Sequence, residues 1–239
     1  MRVLVTGASG AIGQPVCTEL RARGDWVRGF DRTLQVGAVC DEFVLGDLID
    51  PHRVAEAVRG VDAVVHLGAV PDEAPFEQLV GPNVSGVFHV LDAARSHGVR
   101  RVLLASSVQC ASGVSGPRSA ELRAPSNHYA VTKLFAEDLG ELYARKYGLE
   151  VAAARIGWMV RDLREARHIV ELGLTGWYVS RGDVSRFIHT FAHAAFTGFG
   201  VVYLVGPDAG PHFDLEPARR LFGFEPAHRF PDGLPFAAE

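Results

Sequence analysis

The sequence predicts an α/β fold in which a doubly wound parallel sheet is covered by helices on both faces. Three observations carry this expectation. Strand-like and helix-like segments alternate through the first two thirds of the 239 residues. Runs such as Ala63–Leu67 and Val102–Ala105 are almost wholly apolar, as strands covered on both faces require. A glycine-rich turn, Thr6–Gly13 (TGASGAIG), directly follows the apolar run Val3–Val5.

Val3–Val5 reads as the first strand, and Ile12–Arg23 as an amphipathic helix that stops near Gly24. Trp26–Phe30 is the second strand, closed by Asp31, and Glu42–Leu45 a short third, followed by Gly46-Asp47-Leu48. Pro51–Val58 is a helix with proline in its first turn, where no intrahelical N–H is needed. Ala63–Leu67 is a fourth strand, Phe76–His97 one long helix and Arg101–Ala105 a fifth strand. Ser126–Tyr147 is a second long helix, and Val151–Ile156 a sixth strand. Parallel strands need crossover connections, and right-handed helical crossovers satisfy that need. Residues 1–157 are therefore expected to form a Rossmann-type domain.

Beyond that point the pattern loosens. Arg161–Leu172 is charged and helix-compatible, Val184–Phe196 is helical, Gly200–Val205 is a strand and Asp214–Phe222 a short helix. Residues 158–239 are expected to form a small substrate-binding lobe over the carboxyl ends of the strands, the edge at which open α/β sheets bind ligands.

Composition narrows the function classes. Hydrophobic residues make up 48% of the chain and charged residues 22%, the balance of a folded globular protein. A net charge of −4 and the lack of a basic run point away from nucleic acid. No apolar stretch approaches the ~20 residues that span a bilayer, and a strand at the very N-terminus leaves no room for a leader. Cys17, Cys40 and Cys110 are scattered and odd in number, which suits reduced thiols. A soluble, cytoplasmic protein is expected. His189 and His193 stand four apart on a helix, but no carboxylate or cysteine completes a metal set, so they read as core or surface histidines and no metal is expected.

The glycine turn predicts a dinucleotide cofactor. Gly7, Gly10 and Gly13, with Ser9, Ala11 and Ile12 between them, would let the backbone turn sharply and approach a pyrophosphate. The helix behind the turn adds unpaired N–H groups and a positive dipole end. Asp31 follows at the expected interval of about 20 residues and can bind the adenosine ribose hydroxyls while repelling a 2′-phosphate. NAD is favoured over NADP, although Arg32 could accommodate that phosphate.

Tyr129-Ala130-Val131-Thr132-Lys133 carries the sharpest catalytic signal. Residues four apart share a helix face, so Lys133 could sit beneath Tyr129 and lower its phenol from the usual pKa of ~10. Ser107, at the end of the fifth strand, could hold a substrate oxygen beside that phenol.

These segments, together with GDL at Gly46–Leu48, HLGA at His66–Ala69 and NVSG around Asn83, resemble the extended short-chain dehydrogenase/reductase superfamily, the NAD-dependent epimerase/dehydratase family. The resemblance covers nearly the whole chain. It implies Ser107, Tyr129 and Lys133 as the catalytic set, with Lys133 also bonding the nicotinamide ribose. It implies that Asp47 and Leu48 embrace the adenine, that Leu67, Gly68 and Ala69 line the cofactor cleft, and that Asn83 supports it. Ile156 joins the cofactor residues.

Within that superfamily the segments 75–95, 129–157 and 221–226 are most similar to uronate dehydrogenases, which oxidise the anomeric hydroxyl of a hexuronic acid with NAD. Three substrate positions depart from that group. Pro71 and Trp158 each stand in place of a serine, and Val108 in place of an asparagine. Gln109 follows Val108, and Arg164 and Arg167 are candidates for gripping a carboxylate.

The expected activity is NAD-dependent oxidation of a hydroxyl, or reduction of a carbonyl, on a sugar-like small molecule. Two alternatives use the same fold. One is a sugar epimerase or dehydratase with bound NAD, which the short C-terminal lobe and the Val108-Gln109 pair after Ser107 disfavour. The other is an NAD-sensing binding protein without turnover. The two long helices, with an apolar stripe at Val131, Leu134, Phe135, Leu139 and Leu142, suggest a homodimer.

Overall fold

A computed structural model describes residues 1–34 and 39–236. Seven parallel strands form one sheet in the order β3-β2-β1-β4-β5-β6-β7. They are β1 (Arg2–Thr6), β2 (Trp26–Asp31), β3 (Glu42–Leu45), β4 (Ala63–His66), β5 (Arg101–Ser107), β6 (Glu150–Ile156) and β7 (Phe199–Leu204). The order reverses at β1, so β1 and β4 flank the crevice where a doubly wound sheet takes its ligand.

The sheet separates two cores, and β1 shows why its residues are apolar throughout. Val3 and Val5 face one side and Leu4 the other, and all three are fully buried. On the first face lie α1 (Gly13–Ala22), α7 (Arg181–His193) and α8 (Glu216–Phe222), which supply Val16, Leu20, Phe187, Phe191 and Phe222. On the second lie α2 (Pro51–Val58), α4 (Gly86–Ser96) and α5 (His128–Tyr147), which supply Val54, Val58, Val90, Leu91 and Tyr143. Beyond residue 157 the chain also builds the sheet. β7 pairs with β6 from Val151↔Phe199 to Ile156↔Leu204, and α7 covers the sheet beside α1.

Local chemistry sets the helix limits. Asp50 caps α2 by accepting from the N–H groups of His52 at 2.9 Å and Arg53 at 3.2 Å, with Pro51 in the first helical position. Asn127 caps α5 through Ala130 N at 2.8 Å, and Gly148 ends it with φ at 73°.

The expected single helix over Phe76–His97 is corrected. It runs as α3 (Phe76–Leu79), a π-helical turn (Val80–Ser85) and then α4. Pro82 lies within the wide turn and brings no N–H to an α-helical ladder. The turn rotates Asn83 into the interior. Its Oδ1 accepts from Val70 N at 2.8 Å, while its Nδ2 donates to Val70 O at 3.1 Å and to Thr132 Oγ1 at 3.2 Å. The segment expected as a helix over Val184–Phe196 begins and ends three residues earlier, because Ser180 caps it through Asp183 N at 2.9 Å.

Phe187 is fully buried and meets Phe222 and Phe224 edge-on, with ring centroids 5.4 and 5.1 Å away. Phe187→Ala is expected to lower stability by about 3–5 kcal/mol in urea denaturation, the cost of a cavity this core cannot refill.

Candidate active site

The carboxyl ends of the strands enclose a cleft of about 550 Å³. The glycine turn lines one end of it. Gly7 has φ at 71°, and a Cβ there would lie 2.7 Å from Gly68 N. A Cβ on Gly13 would lie 2.1 Å from Gly7 O, so the turn and the start of α1 close only without side chains. A Cβ on Gly10, by contrast, would meet only Gly7 O, at 3.1 Å, which leaves its backbone facing the cleft. The open, side-chain-free backbone at the head of a ten-residue helix fits a pyrophosphate.

A buried network fixes the approach of Gly68. Thr6 Oγ1 accepts from Gly68 N at 3.1 Å and shares a hydrogen bond with His66 Nδ1 at 2.8 Å. Burial, reinforced by the Lys133 cation, pushes the His66 imidazole down to about 3. The ring is therefore neutral at pH 7.

Asp31 ends β2 at the rim of the cleft, where its Oδ2 accepts from Ser9 N at 3.1 Å. Arg32 beside it is 72% exposed and 3.9 Å from Asp47 Oδ2. Gly7, Gly10, Ala11, Ile12, Gly13, Asp31, Arg32, Asp47, Leu48, Leu67, Gly68, Ala69 and Ile156 all line the same cleft. Ser9 and Asn83 do not. The Ser9 hydroxyl donates to Thr33 O, and Asn83 reaches the cleft wall only through Val70.

At the other end the cleft meets Ser107, Tyr129 and Lys133. Ser107 Oγ accepts from Gln109 N at 3.2 Å, and Ser107 lines the cleft together with Tyr129. Lys133 Nζ donates to Ala105 O at 2.9 Å and lies 5.4 Å from the Tyr129 ring centre. Lowering of the phenol by Lys133 is corrected. Burial drives the Tyr129 phenol above its ordinary value against the pull of the Ser107 hydrogen bond, and burial brings Lys133 down to about 8. Tyr129 N also donates to Glu73 Oε2 at 2.8 Å, which ties the loop after β4 to the start of α5.

Behind Ser107 runs a buried polar chain that the sequence did not reveal. Ser106 Oγ donates to Glu137 Oε1, and Arg155 holds both oxygens of Glu137, at 2.9 and 2.8 Å. The other arm of Arg155 reaches the Tyr203 hydroxyl at 2.9 Å and Leu122 O at 2.9 Å. These residues lie on β5, α5, β6 and β7, too far apart in sequence for any motif to link them.

The remaining walls are Pro71, Val108, Gln109 and Trp158, joined by Trp177 and Arg161. Arg164 and Arg167 are corrected, because neither lines this cleft. Both are exposed on α6 (Leu163–Glu171), and Arg167 borders a separate shallow groove with Val170 and Phe230. Near Trp158 the cleft's guanidinium is that of Arg161, just before α6, and it is forked onto Glu165. The expectation that His189 and His193 lack a carboxylate is corrected as well, since folding brings Asp25 to them. Among the described residues no helix is long and apolar enough to cross a membrane.

Residues 3–166 match the NAD dependent epimerase/dehydratase family, and the chain belongs to it. The chain is 32% identical over 225 residues to a uronate dehydrogenase of Pseudomonas syringae pv. tomato, a match covering 92% of this chain and 80% of that protein. It is 28% identical over 258 residues to an L-arabinose 1-dehydrogenase (NAD(P)(+)) of Haloferax volcanii, covering 94% and 96%. The structure of a uronate dehydrogenase from Agrobacterium tumefaciens, a tyrosine-to-alanine variant complexed with NAD, superposes with a TM-score of 0.82 at 30% identity. That match covers 95% of this chain and 84% of the other.

The neutral His66 sets a pH dependence. Its folded value, about 3, lies below the ordinary 6.5, so the unfolded chain takes up a proton first as pH falls. Stability is expected to fall through that window by an amount on the order of 4 kcal/mol from this group. Urea denaturation from pH 7 to pH 4 should show a shallower loss in His66→Gln than in the parent chain.

Proposed function

We propose that this protein is an NAD-dependent dehydrogenase that interconverts a hydroxyl and a carbonyl on a sugar-like substrate. The convergence of Ser107, Tyr129 and Lys133 at one end of a cleft, with the glycine turn and Asp31 at the other, carries the reading. The family match and the sugar dehydrogenases among its relatives support the reaction class and the cofactor.

In this reading the backbone of Gly10–Gly13 binds the pyrophosphate, Asp31 accepts from the adenosine ribose, and Asp47 and Leu48 flank the adenine. Lys133 holds the nicotinamide ribose, and Leu67–Ala69 form the floor. When bound, oxidised NAD supplies the hydride acceptor and a positive ring charge near the phenol.

Ser107 Oγ positions the reacting oxygen, and Tyr129 Oη takes or gives its proton. Burial keeps the phenol protonated at neutral pH, the form required to donate during carbonyl reduction. In the oxidative direction the positive charge in the cleft must offset the burial that raises it. Lys133, lowered to about 8, is seated on Ala105 O and serves the nicotinamide ribose.

The rest of the reading concerns surroundings. A homodimer through α4 and α5 is supported by Phe88, Val131 and Phe135, which are 46%, 50% and 36% exposed, whereas Leu134 turns into the protein's own core. A cytoplasmic setting is supported by the free thiols Cys17, Cys40 and Cys110.

Tyr129→Phe is expected to cut turnover about 10²–10⁴-fold while leaving NAD affinity unchanged by fluorescence titration. Unchanged turnover on a substrate of the parent enzyme would remove Tyr129 from its role. Asp31→Ser removes a charged acceptor at the ribose. It is expected to lower the kcat/KM ratio of NAD to NADP by about ten- to a hundredfold.

A further inference from the structure

Asp25, His189 and His193 form a cluster of metal-ligating side chains outside the cleft. Asp25 occupies the turn between α1 and β2, and its side chain is only 2% exposed. His189 and His193 lie one turn apart on α7 and share a face, with ring centroids 4.6 Å apart. Both helices cover the same face of the sheet, which brings the pair against Asp25 from far away in the chain.

The donor atoms are spaced for one ion. Asp25 Oδ2 lies 3.1 Å from His193 Nε2 and 3.9 Å from His189 Nε2. Three donors bound at zinc's usual lengths in a tetrahedral set stand ~3.3 Å from one another, so small side-chain rotations would close the set. The other Asp25 oxygen, Oδ1, accepts from the Met1 ammonium at 2.7 Å and lies 3.0 Å from His193 Nε2. Oδ2 is thus the oxygen available to an ion.

The Met1 ammonium and His193 hold the Asp25 carboxyl below its ordinary value against the cost of burial. Burial, His193 and Arg23 depress the His189 imidazole, while Asp25 and Glu19 oppose them. Arg23 itself is paired with Glu19 at 2.6 Å.

We infer that Asp25 Oδ2, His189 Nε2 and His193 Nε2 form a site for a transition-metal dication such as Zn²⁺, with water completing the tetrahedron. Two imidazoles and one carboxylate select this class of ion over the oxygen-seeking Mg²⁺ and Ca²⁺. His193 is 41% exposed, which gives the ion a route in and a position for water.

The site lies at the edge of the sheet where strands begin. Asp25 immediately precedes β2, and the end of α7 leads towards β7. The cleft lies at the opposite edge, where β1, β2, β4, β5 and β6 end. The ion would fasten α7 to the α1–β2 turn and stabilise the fold, without taking part in the chemistry.

The test uses the full, untagged chain stripped of metal by a chelator and titrated with Zn²⁺ by calorimetry, alongside thermal melts. The expected result is one Zn²⁺ bound per chain with a raised Tm. His189→Ala and His193→Ala should each weaken that binding at least about tenfold, by analogy with the penalty for losing even supporting groups. His193→Ala also loses a hydrogen bond to Asp25 and could lower the metal-free Tm. His189 is 3.9 Å from that carboxylate, beyond hydrogen-bond reach, so His189→Ala isolates the ligand effect. Absence of stoichiometric Zn²⁺ binding by the parent chain, or binding unchanged in both variants, overturns the site.

Discussion

Gly7 and Gly68 hold the ends of β1 and β4 closer than any side chain permits, and the site is arranged around that approach. A methyl on Gly7 would fall 2.7 Å from Gly68 N, and one on Gly13 would fall 2.1 Å from Gly7 O. Backbone is therefore packed on backbone at the point where the strand order reverses. The Thr6 hydroxyl and the neutral His66 ring lock the arrangement from beneath. With the crevice held open at that point, the first turn of α1 is presented to the cleft at one end, and β5 delivers Ser107 at the other.

The second half of the site is held by buried charge. Arg155 is fully buried and Glu137 is 4% exposed, an expensive pair to remove from water. Their geometry repays that cost in part. Arg155 makes a two-pronged contact with Glu137, and its remaining donors reach Tyr203 and Leu122. Glu137 accepts from Ser106, the neighbour of Ser107, so the chain fixes the end of β5 against α5, the helix that carries Tyr129 and Lys133. Removing Arg155 alone would strand a carboxylate, which is more damaging than replacing the whole pair with apolar groups.

Much of this was legible in the sequence because the relevant signals are local. All seven strands, the glycine turn, Asp31 and the Tyr129–Lys133 spacing depend on residues within a few positions of one another, and they stand where expected. Long-range effects were not legible. Pro82 opens a π turn only because Asn83 finds Val70 and Thr132 on other elements. Arg164 and Arg167 fit a carboxylate as residue types, yet the register of α6 turns them outward and leaves Arg161 at the cleft. Asp25 is far from His189 in sequence, so its meeting with the histidines follows from the packing of α1 against α7. The phenol of Tyr129 was expected to be lowered by a neighbouring charge, but the depth of its burial and the direction of Lys133 towards Ala105 O belong to the tertiary structure.

Direct transfer of hydrogen to the cofactor tests the central claim. An aldose or uronate that the enzyme turns over, carrying deuterium at the reacting carbon, would be incubated with NAD and the nucleotide product weighed by mass spectrometry. A dehydrogenase built on Ser107, Tyr129 and Lys133 yields NADH bearing one deuterium, in amounts that match the oxidised sugar. Conversion of the sugar without accumulation of reduced nucleotide would contradict that account and identify a reaction in which the cofactor is regenerated in place.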